Sequence, residues 1–525
     1  MATAIREQVS SDAVPPANWF VSGPAIVAYL ASLEFLIHLP NPGGYGFFID
    51  ELYFMACGQH LSWGYVDMPP LTAVQAWAAR ALFGDSLLAI RIFPTIAAAG
   101  LVIITGAIVR QLGGERFAQA LAALAVLLAP FYLSFGSYLS MNSIEPLLWM
   151  GCAMIVIRMI QTGDVRLWLW FGVVAGIGLE NKDTMLLFGF ALVAGLMLTR
   201  ERGLMANRWF IFGGLVALAI FLPNLVWQIQ HHFPHLEMLA NIKHSGRNVA
   251  IGPIGFIGWQ LLGMQPLAAP IWLCGLYAFL FSDAVRPYRA LGYAYLLSLL
   301  VLLLTEGRFY YLAPAYPMLL AAGGVAIEKW TSQPGGGWLR PAYTAVIALT
   351  GAITALNVLP LLPPREYIAY TRFMGFSQPK FENRKASDLP QFLADRFGWP
   401  EMVAAAAQVY NDLPPEQRAR TAIIGSNYGE AGAIDFYGPA LGLPKAISGH
   451  VNYWYWGPRN YTGESVIVLG APRDRLEQRF AKVEPKAEVG NPYAMANEHF
   501  TIYLCTEPKG GRTLAQIWPM LKNWD

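Results

Sequence analysis

The chain has 525 residues, of which 55% are hydrophobic and only 13% charged, with a formal net charge of +2. Soluble domains carry roughly a quarter charged residues, so this composition excludes an ordinary water-soluble globule, and no basic run points to nucleic acid, which is not expected as a partner. The four cysteines, Cys57, Cys152, Cys274 and Cys505, follow no zinc-site spacing and do not gather in one loop.

The N-terminal stretch "MATAIREQVSSDAVPPANWF" is polar and shows no cleavable-signal pattern, so residues 1–18 are expected as a cytoplasmic tail and the first span as a retained anchor. Apolar blocks then recur at about 19–40, 87–109, 117–134, 143–160, 167–180, 184–199, 208–228, 254–282, 288–305, 309–327 and 341–361. A helix crosses a bilayer core in about 20 residues, so the expected fold is a polytopic α-helical membrane protein with about 11–13 transmembrane helices over residues 19–361. Basic residues concentrate in short cytoplasmic loops. With the N-terminus inside, alternate loops hold Arg110, Arg116, Arg158, Arg166, Arg200, Arg202 and Arg208, whereas the opposite loops are poor in them. This orientation puts the first loop, 41–86, and the tail, 362–525, on the extracytoplasmic side.

The tail is richer in charge and turn residues. It alternates strand-like runs ("TAIIGS", "SVIVLG", "FTIYLC") with helical ones ("NYGEAGAIDFY", "APRDRLEQRF") and reads as a C-terminal α/β domain. It has neither a GxGxxG nor a P-loop, so no nucleotide site is inferred. The aromatics of "HVNYWYWGPRNY" suit either a sugar-stacking face or a core.

The first loop carries the residues that ask for an explanation. "DELYFMACGQHL" has the spacing of an interfacial helix, with Asp50 and Glu51 in its first turn, where carboxylates are favoured by free amides and the helix dipole. "VDMPPLTAVQAWAARALFG" starts a second helix that Asp67 could cap, with Pro69 and Pro70 set for its first turn. Trp63 and Tyr65 suit the headgroup layer. Capping explains each acid singly. It does not explain why Glu145, Lys182, Asp183, His231, His232 and Arg308 fall on the same side of the membrane. Lys182, between Glu180 and Asp183, reads either as a local ion pair or as a phosphate ligand. Tyr310 and Tyr311 read either as sugar contacts or as part of the aromatic belt. No cofactor is required by the sequence; a divalent metal held by Asp67, His231 and His232 is a candidate, against simple headgroup contact.

"DELYF…GYVDMPPLTA", "LLAIRIFPTI", "SYLSMNSIEPLLW", "GLENKDTMLLFGFAL" and "EGRFYYLAPAYPMLL" occur in an order that resembles the GT-C glycosyltransferases, the family of protein O-mannosyltransferases and aminoarabinose transferases. The resemblance covers residues 40 to about 325. It implies an enzyme that moves a sugar, with inversion, from a polyprenyl-phosphate (undecaprenyl-phosphate) donor to a lipid, glycan or protein acceptor; a tail without glycosylation-rich or disulfide-rich character points to a bacterial inner membrane as its home. It further implies a catalytic pair, Asp50 as base or sugar-orienting group and Glu51 beside it orienting the loop or the sugar. Tyr65, Asp67, Glu145, Lys182, Arg308, Tyr310 and Tyr311 are then expected at the substrate. The chain departs from the pattern at Met68, where relatives have a lysine before Pro-Pro, and at Glu145, where Asp is commoner. The competing readings are a transporter or flippase of a lipid-linked saccharide, which would carry ionisable residues near mid-bilayer, and a non-catalytic scaffold with an outer binding domain.

Overall fold

Every apolar block of the sequence becomes a helix or a pair of helices in the computed structural model, which describes residues 19–247, 249, 251–376, 382–383 and 387–524. In chain order these are α1 Gly23–Ile37, α2 Ile49–Gln59, α3 Leu71–Phe83, α4 Leu87–Gln111, α5 Arg116–Leu127, α6 Pro130–Gly136, α7 Met141–Thr162 and α8 Trp168–Asn181. There follow α9 Thr184–Met197, α10 Arg208–Gln230, α11 Pro234–Ser245, α12 Gly252–Gly263, α13 Ala269–Phe281, α14 Arg289–Leu304, α15 Tyr316–Thr331 and α16 Leu339–Val358.

Local chemistry sets the ends. The Ser86 hydroxyl accepts from the Ala89 N–H at 3.1 Å to start α4, and Gly163, at φ 67°, closes α7 in the left-handed conformation. Two apolar blocks break because a proline follows the bend: α5 and α6 meet at 63° ahead of Pro130, and α12 turns 90° at Pro266.

Among the described residues six helices are long and apolar enough to cross a membrane, or eight if each bent pair is one span. The remaining three of the eleven expected blocks form shorter helices. The blocks that became α1, α8 and α9 yield helices of only 15, 14 and 14 residues, α8 and α9 being interrupted at Lys182 and Asp183. The bundle packs through small residues, as bilayer helices do. A methyl on Gly275 of α13 or on Gly323 of α15 would run into the other helix's backbone.

The tail holds a four-stranded sheet of order β1-β2-β4-β3, with β1 Thr421–Gly425, β2 Ser465–Leu469, β3 Phe480–Val489 and β4 Phe500–Pro508. β1 and β2 run parallel, and the other two pairs are antiparallel. The expected strands appear. "APRDRLEQRF", however, gives a helix only over Arg473–Glu477 before the chain enters β3. All four cysteines are free.

The sheet domain sits on the first loop. α2, expected at the membrane interface, is instead covered: Leu52 and Tyr53 through Cys57 are all buried in one apolar cluster with Ile434, Tyr453 and Ile467 of the tail. Its partner is the Tyr428–Tyr437 helix. Gly432 there lies so close that a Cβ would come within 2.9 Å of the Leu52 carbonyl carbon. The Phe47 and Phe436 rings meet edge to face at 4.9 Å.

Candidate active site

The start of α2 is fixed by Glu51, not by Asp50. The Glu51 carboxylate accepts from the Phe48 N–H at 2.9 Å, from the Leu139 N–H at 3.0 Å, and from Arg91 Nε and Nη2 at 2.9 and 2.8 Å. Burial alone would raise its pKa, but the Arg91 guanidinium and these donors hold it below the usual carboxylate range. Fully buried and bonded on both oxygens, Glu51 has no face for a substrate. The catalytic role expected for it gives way to one of orienting the loop, which was the other half of that expectation. Arg396 of the tail packs beside this pair, with Nη2 donating to Ser137 Oγ at 3.1 Å; burial and the neighbouring Arg91 lower its pKa to about 9.

With Glu51 holding the helix, Asp50 projects from the same turn and is partly exposed. Its Oδ1 accepts from the hydroxyl of Tyr428, on the tail, at 2.7 Å. Asp67 is matched in the same way: Tyr53 Oη donates to its Oδ1 at 2.8 Å. The two tyrosine rings lie 4.8 Å apart, and Tyr428 stacks on His450 at 4.8 Å. Two carboxylates are thus carried on a pair of packed phenols, one from α2 and one from the sheet domain. Burial raises both pKa values. For Asp50, the Tyr428 hydrogen bond and the charges of Arg247 and Arg308 oppose the rise and Glu382 adds to it. For Asp67, burial outweighs the Tyr53 hydrogen bond and brings the value to about 6. Asp67 does not cap α3 as expected, since that helix begins after Pro70 with no side-chain cap.

The cations stand on neighbouring elements. Lys182 Nζ donates to Asn142 Oδ1 at 2.8 Å and to Glu145 Oε2 at 2.9 Å, and lies 3.9 Å from the Tyr311 ring centroid. Thr184 donates to the other Glu145 oxygen. Of the two ion-pair readings for Lys182, neither Glu180 nor Asp183 is its partner. Asp183 pairs instead with His235 at 2.8 Å. Arg308 Nη1 donates to Tyr310 Oη at 3.0 Å, and Arg247 Nε donates to Glu382 Oε1 at 2.8 Å, with Arg308 Nη2 3.8 Å from the same oxygen. Glu145, Lys182, Tyr310, Tyr311 and Arg308 therefore form one patch, which Arg308 and Glu382 link electrostatically to Asp50.

Two expectations fail on geometry. Tyr65 is buried, and its hydroxyl lies in hydrogen-bond range of the Ser62 N–H and the Cys57 and His60 carbonyls, so it pins the loop and is not a substrate contact. His231 bonds the Trp227 carbonyl at 2.8 Å and stacks on its ring at 4.1 Å. His232 is exposed. Among the described residues no group of three or more His, Cys, Asp and Glu side chains could hold a metal ion, so the Asp67–His231–His232 site is not formed. His235 is the histidine near Asp67, with its ring bonded to the Val66 carbonyl at 3.2 Å.

The residues missed from sequence are Tyr53, Tyr428, Arg91, His235 and Glu382. Only Arg91 left a signal: an arginine in an apolar helix needs an anion, and Glu51 was waiting. Of the tail aromatics Tyr453 is core, while Trp454, Tyr455 and Trp456 are half-buried. Tyr453 donates to buried Asp435 at 3.1 Å.

Residues 67–227 match the family model of dolichyl-phosphate-mannose-protein mannosyltransferases, a segment that takes in Asp67, Arg91, Glu145 and Lys182 but not Asp50 or the tail. No curated protein matches the chain. The fold is similar to that of ArnT from Cupriavidus metallidurans, solved bound to undecaprenyl phosphate and in the apo state. Each has a TM-score of 0.58 and 14% identity, covering 91% of this chain and 97% of that one. The Archaeoglobus fulgidus oligosaccharyltransferase, in the apo form, matches with a TM-score of 0.47 and 10% identity over 80% of this chain and 63% of its own.

Proposed function

With a GT-C glycosyltransferase fold and a mannosyltransferase-family segment as premises, we propose that the chain transfers a sugar from a polyprenyl-phosphate donor to an acceptor hydroxyl with inversion. The observation that carries this reading is the Asp50 carboxylate. One oxygen is held by Tyr428, and the other takes no hydrogen bond among the described residues. Burial raises its proton affinity towards that of a general base. In the proposed step the free oxygen takes the acceptor's hydroxyl proton while that hydroxyl oxygen attacks the anomeric carbon. The bond from that carbon to the phosphate oxygen breaks, and polyprenyl phosphate departs with the electron pair. Lys182, Arg247 and Arg308 supply the positive charge such a leaving group needs. The undecaprenyl phosphate bound to the similarly folded ArnT supports a polyprenyl donor.

Under this reading residues 19–361 form the catalytic membrane domain of an inner-membrane enzyme. Residues 362–525 form an extracytoplasmic cover that completes its site, and residues 1–18 remain cytoplasmic. The acceptor is a lipid, glycan or protein. The site's ion pairs gather at one end of the bundle, not at mid-depth, which weighs against transport.

The test is release of free polyprenyl phosphate, followed by mass spectrometry, from a panel of polyprenyl-phosphate sugars given to the purified protein in lipid with membrane extract as acceptor. Release with one donor, abolished by Asp50→Asn in a folded protein, is the expected result. Wild-type turnover by that variant overturns the role of Asp50, and no release with any donor overturns the reaction.

A further inference from the structure

At the end of the bundle away from Asp50, a groove opens between the start of α1, the ends of α4 and α7, and the start of α5. Arg110 on its rim lies about 28 Å along α4 from Arg91, at 1.5 Å per residue, so the groove is separate from the candidate active site. Its wall is apolar, with Val27, Ile103 and Ala107, and its rim carries Arg110, Arg158 and Gln111.

Three features point to an occupant. First, no aspartate or glutamate lines the groove, and among the described residues neither guanidinium has a hydrogen-bond or ion-pair partner. Two arginines at the mouth of an apolar slot therefore lack an anion, and the planar guanidinium suits a phosphate. Second, the Gln111 side-chain oxygen is buried without a donor, and a buried unpaired acceptor is costly until something donates to it. The rim is cross-linked: Gln161 Nε2 donates to the Gln111 carbonyl at 2.6 Å and to the Tyr288 hydroxyl at 3.1 Å. Third, Ile103 and Ala107 of the wall lie on α4, a helix long and apolar enough to span, within reach of an acyl chain.

We infer that this groove binds one anionic phospholipid bearing a headgroup hydroxyl. Its phosphate sits at Arg110 and Arg158, its hydroxyl donates to Gln111, and one acyl chain lies against Val27, Ile103 and Ala107. Phosphatidylglycerol has this chemistry; a zwitterionic lipid, whose own cation neutralises the phosphate, does not.

The probe is phosphatidylglycerol against phosphatidylcholine of equal chain length, offered to the delipidated full chain, with retention read by native mass spectrometry. Each cation near an anionic headgroup multiplies affinity about fivefold, so two give a preference of about thirty-fold. The preference should collapse in the Arg110→Gln/Arg158→Gln double variant. Both side chains are exposed, so the variant should melt like the wild type. It should persist in Arg286→Gln, an exposed arginine outside the groove. Ala107→Phe, which fills the wall and keeps both charges, should also abolish retention. No preference in the wild type, equal loss in Arg286→Gln, or displacement of the lipid by equimolar glycerol phosphate would each overturn the inference. The last two outcomes would indicate a diffuse surface field or a simple phosphate site.

Discussion

Replacing Tyr428 with phenylalanine removes one oxygen atom, and the effect should be read at a residue 378 positions away in the chain. The Tyr428 hydroxyl donates to Asp50 Oδ1 at 2.7 Å and is the only protein donor to that carboxylate among the described residues. The ring, which stacks on His450 and packs on Tyr53, is kept, so the fold should survive. A hydrogen bond to an ionised group contributes about 1.5–3 kcal/mol, equivalent to about one to two pKa units. The bond favours the ionised form and restrains a pKa that burial already raises; without it the pKa climbs further. If Asp50 works ionised, activity is lost as pH falls through its pKa, and the acid limb of the rate profile must move to higher pH. The assay is release of polyprenyl phosphate between pH 5 and 9 for both proteins. The expected result is a limb shifted upward by at least about one unit, with a smaller change on the alkaline plateau. An unmoved limb in a variant of unchanged melting temperature would refute the assignment of Asp50 as the titrating base.

Asp67 offers a stability test that needs no substrate. Its carboxyl is raised by burial to about 6, well above the unfolded value, so the folded protein binds the proton more tightly. Stability should therefore rise as pH falls through about 6 and level off below about 4. Asp67→Asn, whose amide oxygen can still accept from Tyr53, should melt higher than wild type at pH 8 and equal to it near pH 4; a pH-independent difference contradicts the shift. Glu51→Gln leaves Arg91 buried without its anion and should destabilise by about 3–5 kcal/mol, seen as a large drop in melting temperature; a small drop would mean that Glu51 does not hold the loop. Arg308→Ala should weaken retention of the polyprenyl-phosphate donor more than it lowers the melting temperature, and unchanged donor affinity would remove it from the phosphate site.

Hydrophobic run lengths place every helix of the bundle because apolar length is a local property. They do not fix helix length: the two blocks flanking Lys182 become helices of only 14 residues each. Asp50, Glu145, Lys182, Arg308, Tyr310 and Tyr311 are legible as a set, because purposeful polar residues at span ends stand out in a greasy chain. The roles inside that set are less legible. Asp50 and Glu51 are adjacent and chemically alike, and what separates them is Arg91 and Leu139, which lie 40 and 88 positions away. The same distance in sequence hid Tyr428, whose loop signals only the start of a helix through the Asn427–Glu430 cap. The His231–His232 pair misled because adjacency in sequence is not convergence in space. A helix end turns the two rings apart, and the histidine that reaches Asp67 is three positions further on.

The dependence of Asp50 on Tyr428 also has a meaning in time. In the proposed orientation, a chain delivered into a bilayer from its N-terminus releases its first loop to the far side long before residue 428 has been made. Until then α2 lacks its cover and Asp50 its partner, so the proposed site is incomplete. On the proposed reading biosynthesis acts as a safety catch: a domain that emerges late arms a carboxylate exposed early.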